Sequence, residues 1–173
     1  MSFQAYQQLI DQFCRHAGLP DPQTMYHRAE VRIGSTDFLL LHGGKQAPDM
    51  VTVYCGLGGL PPAAQREAAL LALLETNLLL FGSGSNPSFA FNRESGAVLL
   101  VCALQLGSVG GMRMLELLTH FDALAKAWRD KFFLDAPGAA VQRQSATSGA
   151  GPGGGRGLPA HLARVLVAKD QIA

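Results

Sequence analysis

Leu70-Leu71-Ala72-Leu73-Leu74-Glu75-Thr76-Asn77-Leu78-Leu79-Leu80-Phe81 is too evenly apolar to be an ordinary surface helix. On a helical wheel these leucines cannot share one stripe, so a helix built from them must be covered on more than one side. It is interrupted by Glu75-Thr76-Asn77 and is shorter than the roughly 18 residues a membrane span needs. The prolines of Gly58-Gly59-Leu60-Pro61-Pro62 preset a first helical turn. The helix therefore runs from about Ala63 to Phe81 and stops at Gly82-Ser83-Gly84. In a domain this small a sheet covers one side only, and a second copy of the chain is the simplest cover for the other.

Working outward toward the N-terminus, Met50 to Leu57 is rich in Val, Thr and Tyr and reads as a strand. Before it, Ala29, Val31 and Ile33 alternate with Glu30 and Arg32, Gly34-Ser35 supplies a two-residue turn, and Thr36 to Leu41 runs back. Phe3, Tyr6, Ile10, Phe13, Cys14 and Ala17 recur at three- and four-residue steps and make a first helix that Gly18 ends. On the other side of the leucine helix, Phe89-Ala90-Phe91 and Ala97 to Leu106 are two strands around a turn at Asn92 to Gly96. After Gly110-Gly111, a stripe of Met114, Leu115, Leu118, Phe121, Ala125, Trp128 and Phe132 makes a last helix. The expected fold is α/β of the α+β kind: a five-stranded antiparallel sheet with three helices, in the order α-β-β-β-α-β-β-α, forming a homodimer.

The chain of 173 residues has 16% charged residues and a net charge of +1. Its apolar content excludes a chain disordered throughout, and its neutrality speaks against a nucleic-acid binder, which needs a Lys/Arg excess. That average conceals two regions. Residues 1–135 carry 10 basic and 12 acidic residues, whereas the remainder carries 4 basic and 1 acidic. Residues 136–157 are mostly Ala, Gly, Ser, Gln and Pro, the composition of a flexible linker. Residues 158–173 hold Leu158, Leu162, Val165 and Leu166 at helical spacing, a short amphipathic segment. The N-terminus has neither a basic region nor a continuous apolar run of the signal-peptide kind, so a cytoplasmic protein is expected.

Catalytic chemistry is hard to assemble from these residues. Cys14, Cys55 and Cys102 are odd in number, far apart and set in apolar runs, which makes neither a disulfide framework nor a zinc site. No two of His16, His27, His42, His120 and His161 stand at ligand spacing on a helix, and no metal or other cofactor is expected. Gly56-Leu57-Gly58-Gly59 has Pro61 where a dinucleotide fingerprint needs its third glycine, and reads as a turn. Gly82-Ser83-Gly84-Ser85-Asn86-Pro87 follows a helix instead of opening one, the wrong end for a phosphate. Glu75-Thr76-Asn77 reads as a polar patch at a helix crossing or subunit interface. A small enzyme using Cys55 or Cys102 with a histidine brought near by the fold remains one alternative.

Several segments taken together resemble the class I type III secretion chaperones of the Tir chaperone family. They are Tyr6-x-x-Leu9-Ile10-x-x-Phe13-x-x-x-Ala17-Gly18-Leu19, Val53-Tyr54-Cys55-Gly56-x-Gly58, Leu60-Pro61, and Leu70-Leu71-x-Leu73-Leu74-x-x-Asn77-Leu78-Leu79-Leu80. To these are added Gly82-x-Gly84-x-x-Pro87 and Phe89-Ala90-Phe91-x-x-Glu94-x-Gly96-x-Val98-Leu99-Leu100. The similarity runs from about Gln4 to Phe133. It implies a homodimer that binds the N-terminal segment of a secreted effector in extended form in the bacterial cytoplasm and keeps it ready for export, with no catalysis. Components of the secretion apparatus are a further implied class of partner, and a scaffold or regulatory subunit of the same fold without a secretion role is a second alternative. The resemblance implies a dimer interface on Leu71, Leu74, Leu78 and Phe81, with Phe89 and Phe91 beside them. For the effector it points to apolar residues of the first helix and first hairpin: Tyr6, Ile10, Val31, Ile33, Phe38 and Leu40. The Gly-rich basic end of the chain lies outside the shared pattern.

Overall fold

A strand whose residues alternate between apolar and polar can bury only one of its faces. Ala29, Val31 and Ile33 of β1 (Ala29–Ile33), Thr36, Phe38 and Leu40 of β2 (Thr36–His42) and Val51, Val53 and Cys55 of β3 (Met50–Gly59) all turn to the same side and are buried there. The computed structural model describes residues 2–81, 85–134 and 163–164. Within them α1 (Ser2–Ala17), α2 (Ala63–Leu80), β4 (Ser88–Asn92), β5 (Ala97–Gln105) and α3 (Gly111–Lys131) complete the expected order. The five long strands form an antiparallel sheet in the spatial order β4-β5-β3-β2-β1. A two-residue strand, β6 (Ala163–Arg164), pairs antiparallel with β1. The expected linker at 136–157, the rest of the 158–173 segment and the helix stop at 82–84 lie outside the described residues.

The buried face of the sheet is covered by α1 and α3. Tyr6, Ile10 and Phe13 from α1 and Met114, Leu118, Phe121, Leu124 and Trp128 from α3 are all excluded from solvent. The Tyr6 hydroxyl, inside this core, donates to the Leu40 carbonyl at 3.1 Å. The two helices touch most closely where α3 begins. A Cβ on Gly111 would lie 2.4 Å from the backbone of Gln12 and Phe13, so only glycine admits this approach.

Gly56-Leu57-Gly58-Gly59 does not break β3, contrary to the turn expected from its glycines. The strand continues to Gly59 because β5 pairs with it, and a shift of register between Gly56 and Gly58 absorbs one extra residue. That bulge leaves Leu57 buried in the core.

A polar knot joins α3 to the β1–β2 turn. The buried Asp122 carboxylate accepts from the Thr36 hydroxyl (2.6 Å) and the Ser35 amide (3.2 Å), and Lys126 stands 3.3 Å away. Arg129 donates to the Thr36 hydroxyl oxygen at 2.6 Å. Gly34, at φ 59°, leaves the space Asp122 fills, since a Cβ there would come within 2.3 Å of its carboxylate. Beyond α3, Phe132 and Phe133 hold left-handed backbone angles (φ 49° and 60°), uncommon for bulky residues. Ring packing holds them there: Trp128 meets Phe132 at 5.3 Å and Phe133 at 5.6 Å, and Phe133 meets Phe89 of β4 at 5.5 Å.

Asp122→Ala should lower the unfolding free energy by about 2–3 kcal/mol, because two hydrogen-bonded donors lose their buried acceptor. Asp122→Asn, which keeps one acceptor oxygen, should cost less. Urea midpoints measure both, and an unchanged midpoint for Asp122→Ala would show the knot to be dispensable.

Candidate functional site

The leucine helix is buried on one side only. Ala69, Ala72, Leu73, Thr76 and Leu80 face the domain, while Leu71 (56% exposed), Leu74 (61%), Leu78 (74%) and Phe81 (81%) face outward. Their spacing of three, four and three residues makes one continuous seam, the pattern by which two helices interlock side chains. Leu70 and Leu79 of the same helix and Phe91 on β4 are exposed as well. Phe89 is different. It is 5% exposed and packed on Phe133, so its ring is not available to a second copy.

What orients this seam is the polar interruption inside the helix. Asn77 accepts the Phe89 amide at 2.7 Å and donates to the Phe89 carbonyl at 3.3 Å, so one side chain satisfies a strand residue on both of its backbone groups. Thr76 folds its hydroxyl back onto the Ala72 carbonyl at 2.7 Å. Glu75 is exposed. The Asn77 clamp fixes the roll of α2 against β4, and with it the direction in which the seam points.

A second open surface is the outer face of the sheet. The registers align Glu30, Leu39, Tyr54 and Val101 in one row across four strands, all half-buried. In the next row Arg32 opposes Asp37, which it grips with two bonds of 2.5 and 2.7 Å, and Gly56 opposes Leu99. That grip holds the Asp37 carboxyl below the usual carboxylate range. Gly56 has no side chain, and a Cβ there would touch nothing within 4 Å. The gap is a cleft of about 380 Å³ lined by Glu30, Asp37, Leu39, Tyr54 and Gly56 together with Val31 and Phe38. Its lining is mostly apolar, and the two carboxylates at its rim are each paired with an arginine, Glu30 with Arg28 and Asp37 with Arg32.

All six residues expected to meet an effector are in the core: Tyr6, Ile10, Val31, Ile33, Phe38 and Leu40 are buried beneath α1 and α3 or within them. They belong to the dry parity of their strands and to the inner stripe of α1. The outer-parity residues Leu39 and Tyr54, with the missing side chain of Gly56, form the surface that is open instead. Gly56 was detectable in the sequence only as a glycine in a Val/Thr/Tyr strand, which marks a close approach or a void.

The cysteines lie in the same interior. Burial raises the Cys55 thiol from 9.0 to about 12, and the Cys14 and Cys102 thiols to about 11. A thiol held protonated in this way is a poor nucleophile. Among the described residues no group of His, Cys, Asp and Glu could hold a metal ion, and no helix is long and apolar enough to cross a membrane.

Comparison with known proteins agrees with this geometry. The family model described as Tir chaperone protein (CesT) family matches residues 8–129. A chain in the structure of the ExoT–SpcS complex from Pseudomonas aeruginosa is 20% identical, with a TM-score of 0.51 over 70% of this chain and 95% of that one. A chain of the ExsC–ExsE complex is 15% identical, with a TM-score of 0.57 over 76% of this chain and 96% of that one. No curated protein sequence matches.

Native-state alkylation of the three thiols at pH 8 should run on the order of 100-fold slower than in the denatured chain, since each pKa rises by about two units or more. Rapid labelling of Cys55 would contradict its burial. The same shifts set the alkaline limit. The folded chain holds these protons more tightly than the unfolded one, so their contribution to stability is complete below pH 9 and is lost as pH rises through 11–12. Tyr6, raised from 10.0 to about 12, adds to the same loss.

Proposed function

The chain belongs to the Tir chaperone protein (CesT) family, and from that premise we propose that it is a cytoplasmic chaperone that holds an extended segment of a secreted effector without catalysing a reaction. The observation that carries this reading is the family match over residues 8–129, which takes in α2, all five long strands and most of α3. The two structural neighbours were both solved within complexes, in keeping with a binding role.

The mechanism needs only surface and differential affinity. An extended segment presents alternate side chains to the outer sheet face; one of them fills the cleft at Gly56, against Leu39 and Tyr54. Such a site binds the extended state and not the folded one, and so shifts the population of the partner toward the unfolded form without consuming energy. Two copies joined along Leu71, Leu74, Leu78 and Phe81 duplicate the cleft, and a long segment that engages both gains from the high effective concentration at the second site. Phe91 lies at the margin of that interface.

Capture of this chain from the native bacterium, followed by limited proteolysis, should protect a short N-terminal segment of one secreted protein; no protected segment would refute the chaperone reading. A Cβ at Gly56 meets nothing within 4 Å, so Gly56→Leu should leave the urea midpoint unchanged while weakening retention of that segment at least tenfold. Leu74→Asp should give monomer or aggregate by light scattering, and an intact dimer would overturn the α2 interface.

A further inference from the structure

β4 is an end strand of the sheet, and an end strand recruits extended chains through the backbone groups it leaves pointing outward. In an antiparallel pair these groups alternate: one residue turns its N–H and C=O to the neighbouring strand, and the next turns both away. Asn77 bonds to both backbone groups of Phe89, so Phe89 belongs to the outward set of β4, and by the same alternation so does Phe91. We propose that Asn77 is a strand surrogate: its carboxamide takes the place of the residue that an added strand would set opposite Phe89, and so closes the β4 edge to extended chains, including the β4 of a second copy. The closure stands independently of the function proposed above; its consequence for a bound segment and for the pairing of copies rests on that reading.

The surrogate works because a carboxamide has the chemistry of a peptide group. A strand residue opposite Phe89 would accept from its N–H and donate to its C=O, and the Asn77 side chain does both, at 2.7 and 3.3 Å. What remains of the edge is too short to pair. Pro87, the next residue of the outward series toward the N-terminus, has no N–H to donate. Beyond Phe91 the strand ends at Asn92, whose side-chain oxygen accepts from the Glu94 and Ser95 amides (2.9 and 3.3 Å) and turns the chain. An incoming strand is therefore left with Phe91 alone. Without the Asn77 carboxamide, two successive outward residues, Phe89 and Phe91, would stand open.

The position of α2 follows from the same bonds. Outward backbone groups lie in the plane of a sheet, so a helix whose side chain reaches them stands beside the edge of β4, where α2 packs. In the pairing proposed above, through Leu71, Leu74, Leu78 and Phe81, two helices would thus lie between the sheets of the two copies. The sheets would not fuse at β4, and a bound extended segment would be kept from this end of the sheet.

Asn77→Ala and Asn77→Asp in the full chain test the closure, with a labelled peptide copying residues 86–95 as the extended probe. In the wild-type chain the Phe89 amide should be protected from hydrogen exchange, and the probe should not be retained. Asn77→Ala should exchange the Phe89 amide at least tenfold faster and bind the probe at least tenfold more tightly, while the Val53 amide of β3 keeps its protection. Asn77→Asp has the same shape and separates hydrogen bonding from packing. Its carboxyl accepts and donates as the amide does when protonated, and only accepts when ionised. Measured against the other two chains at each pH, its probe binding should therefore rise from about pH 4, where an aspartate is partly protonated, to about pH 7. If Asn77→Ala does not fold, this pH comparison decides alone. Unchanged Phe89 protection in Asn77→Ala, an open Phe89 amide with no gain in probe binding, or equal relative binding by Asn77→Asp at the two pH values would overturn the proposal.

Discussion

Every surface of this molecule follows from the parity of its sheet. Alternate residues of β1, β2 and β3 must go either beneath α1 and α3 or outward, and the large apolar ones have gone beneath. With Val31, Phe38, Leu40 and Val53 committed to the core, what remains outside is a mixed row of Glu30, Leu39, Tyr54 and Val101, apolar enough to hold a side chain and polar enough to stay in water. A slip of one residue in any strand would exchange the two sets. The Asp122 knot guards against such a slip at the β1–β2 turn, where it ties the hairpin to α3 through Ser35 and Thr36.

A division of labour follows between the two ends of the sheet. At the β4 end, Asn77 and the Phe89–Phe133–Trp128 contacts fasten α2 and the end of α3 to one strand. At the β1 end the fastening is polar, and among the described residues the edge pairs with the two residues of β6. Rigid apolar anchoring thus lies beside the seam of α2, and the polar fastening lies beside the cleft. Surfaces that must exchange partners belong at the less firmly held end of a structure.

The elements themselves were legible because each carries its own period: three- and four-residue steps for α1 and α3, two-residue steps for β1, and for α2 a leucine-rich run interrupted at Glu75-Thr76-Asn77. What escaped were features made by contacts distant in sequence. Asp122 reads as one acid on an amphipathic helix, and nothing near it in sequence announces a turn 86 residues earlier. The glycines at 56, 58 and 59 read as a turn because the partner strand that carries β3 through them begins only at Ala97. Asn77 was visible as a polar interruption, although its partner, the backbone of Phe89, carries no side-chain signature. The residues expected to meet an effector fall on the buried face for a simpler reason: apolar side chains in alternation mark the dry face, and an open surface has to be sought among what the dry face leaves over.

The uncovered seam of α2 also bears on how the chain must be made. Leu74, Leu78 and Phe81 are most of the way out of the fold, so a newly completed copy is born with an apolar surface in water. Under the proposed α2 pairing, its useful lifetime before misassociation depends on how soon a matching copy is found, which is a matter of local abundance during synthesis. Production of many copies from one message in one place would favour the correct pairing, whereas sparse expression would leave each copy exposed to whatever apolar surface it meets first. The genetic dose of such a protein is thereby part of its folding problem.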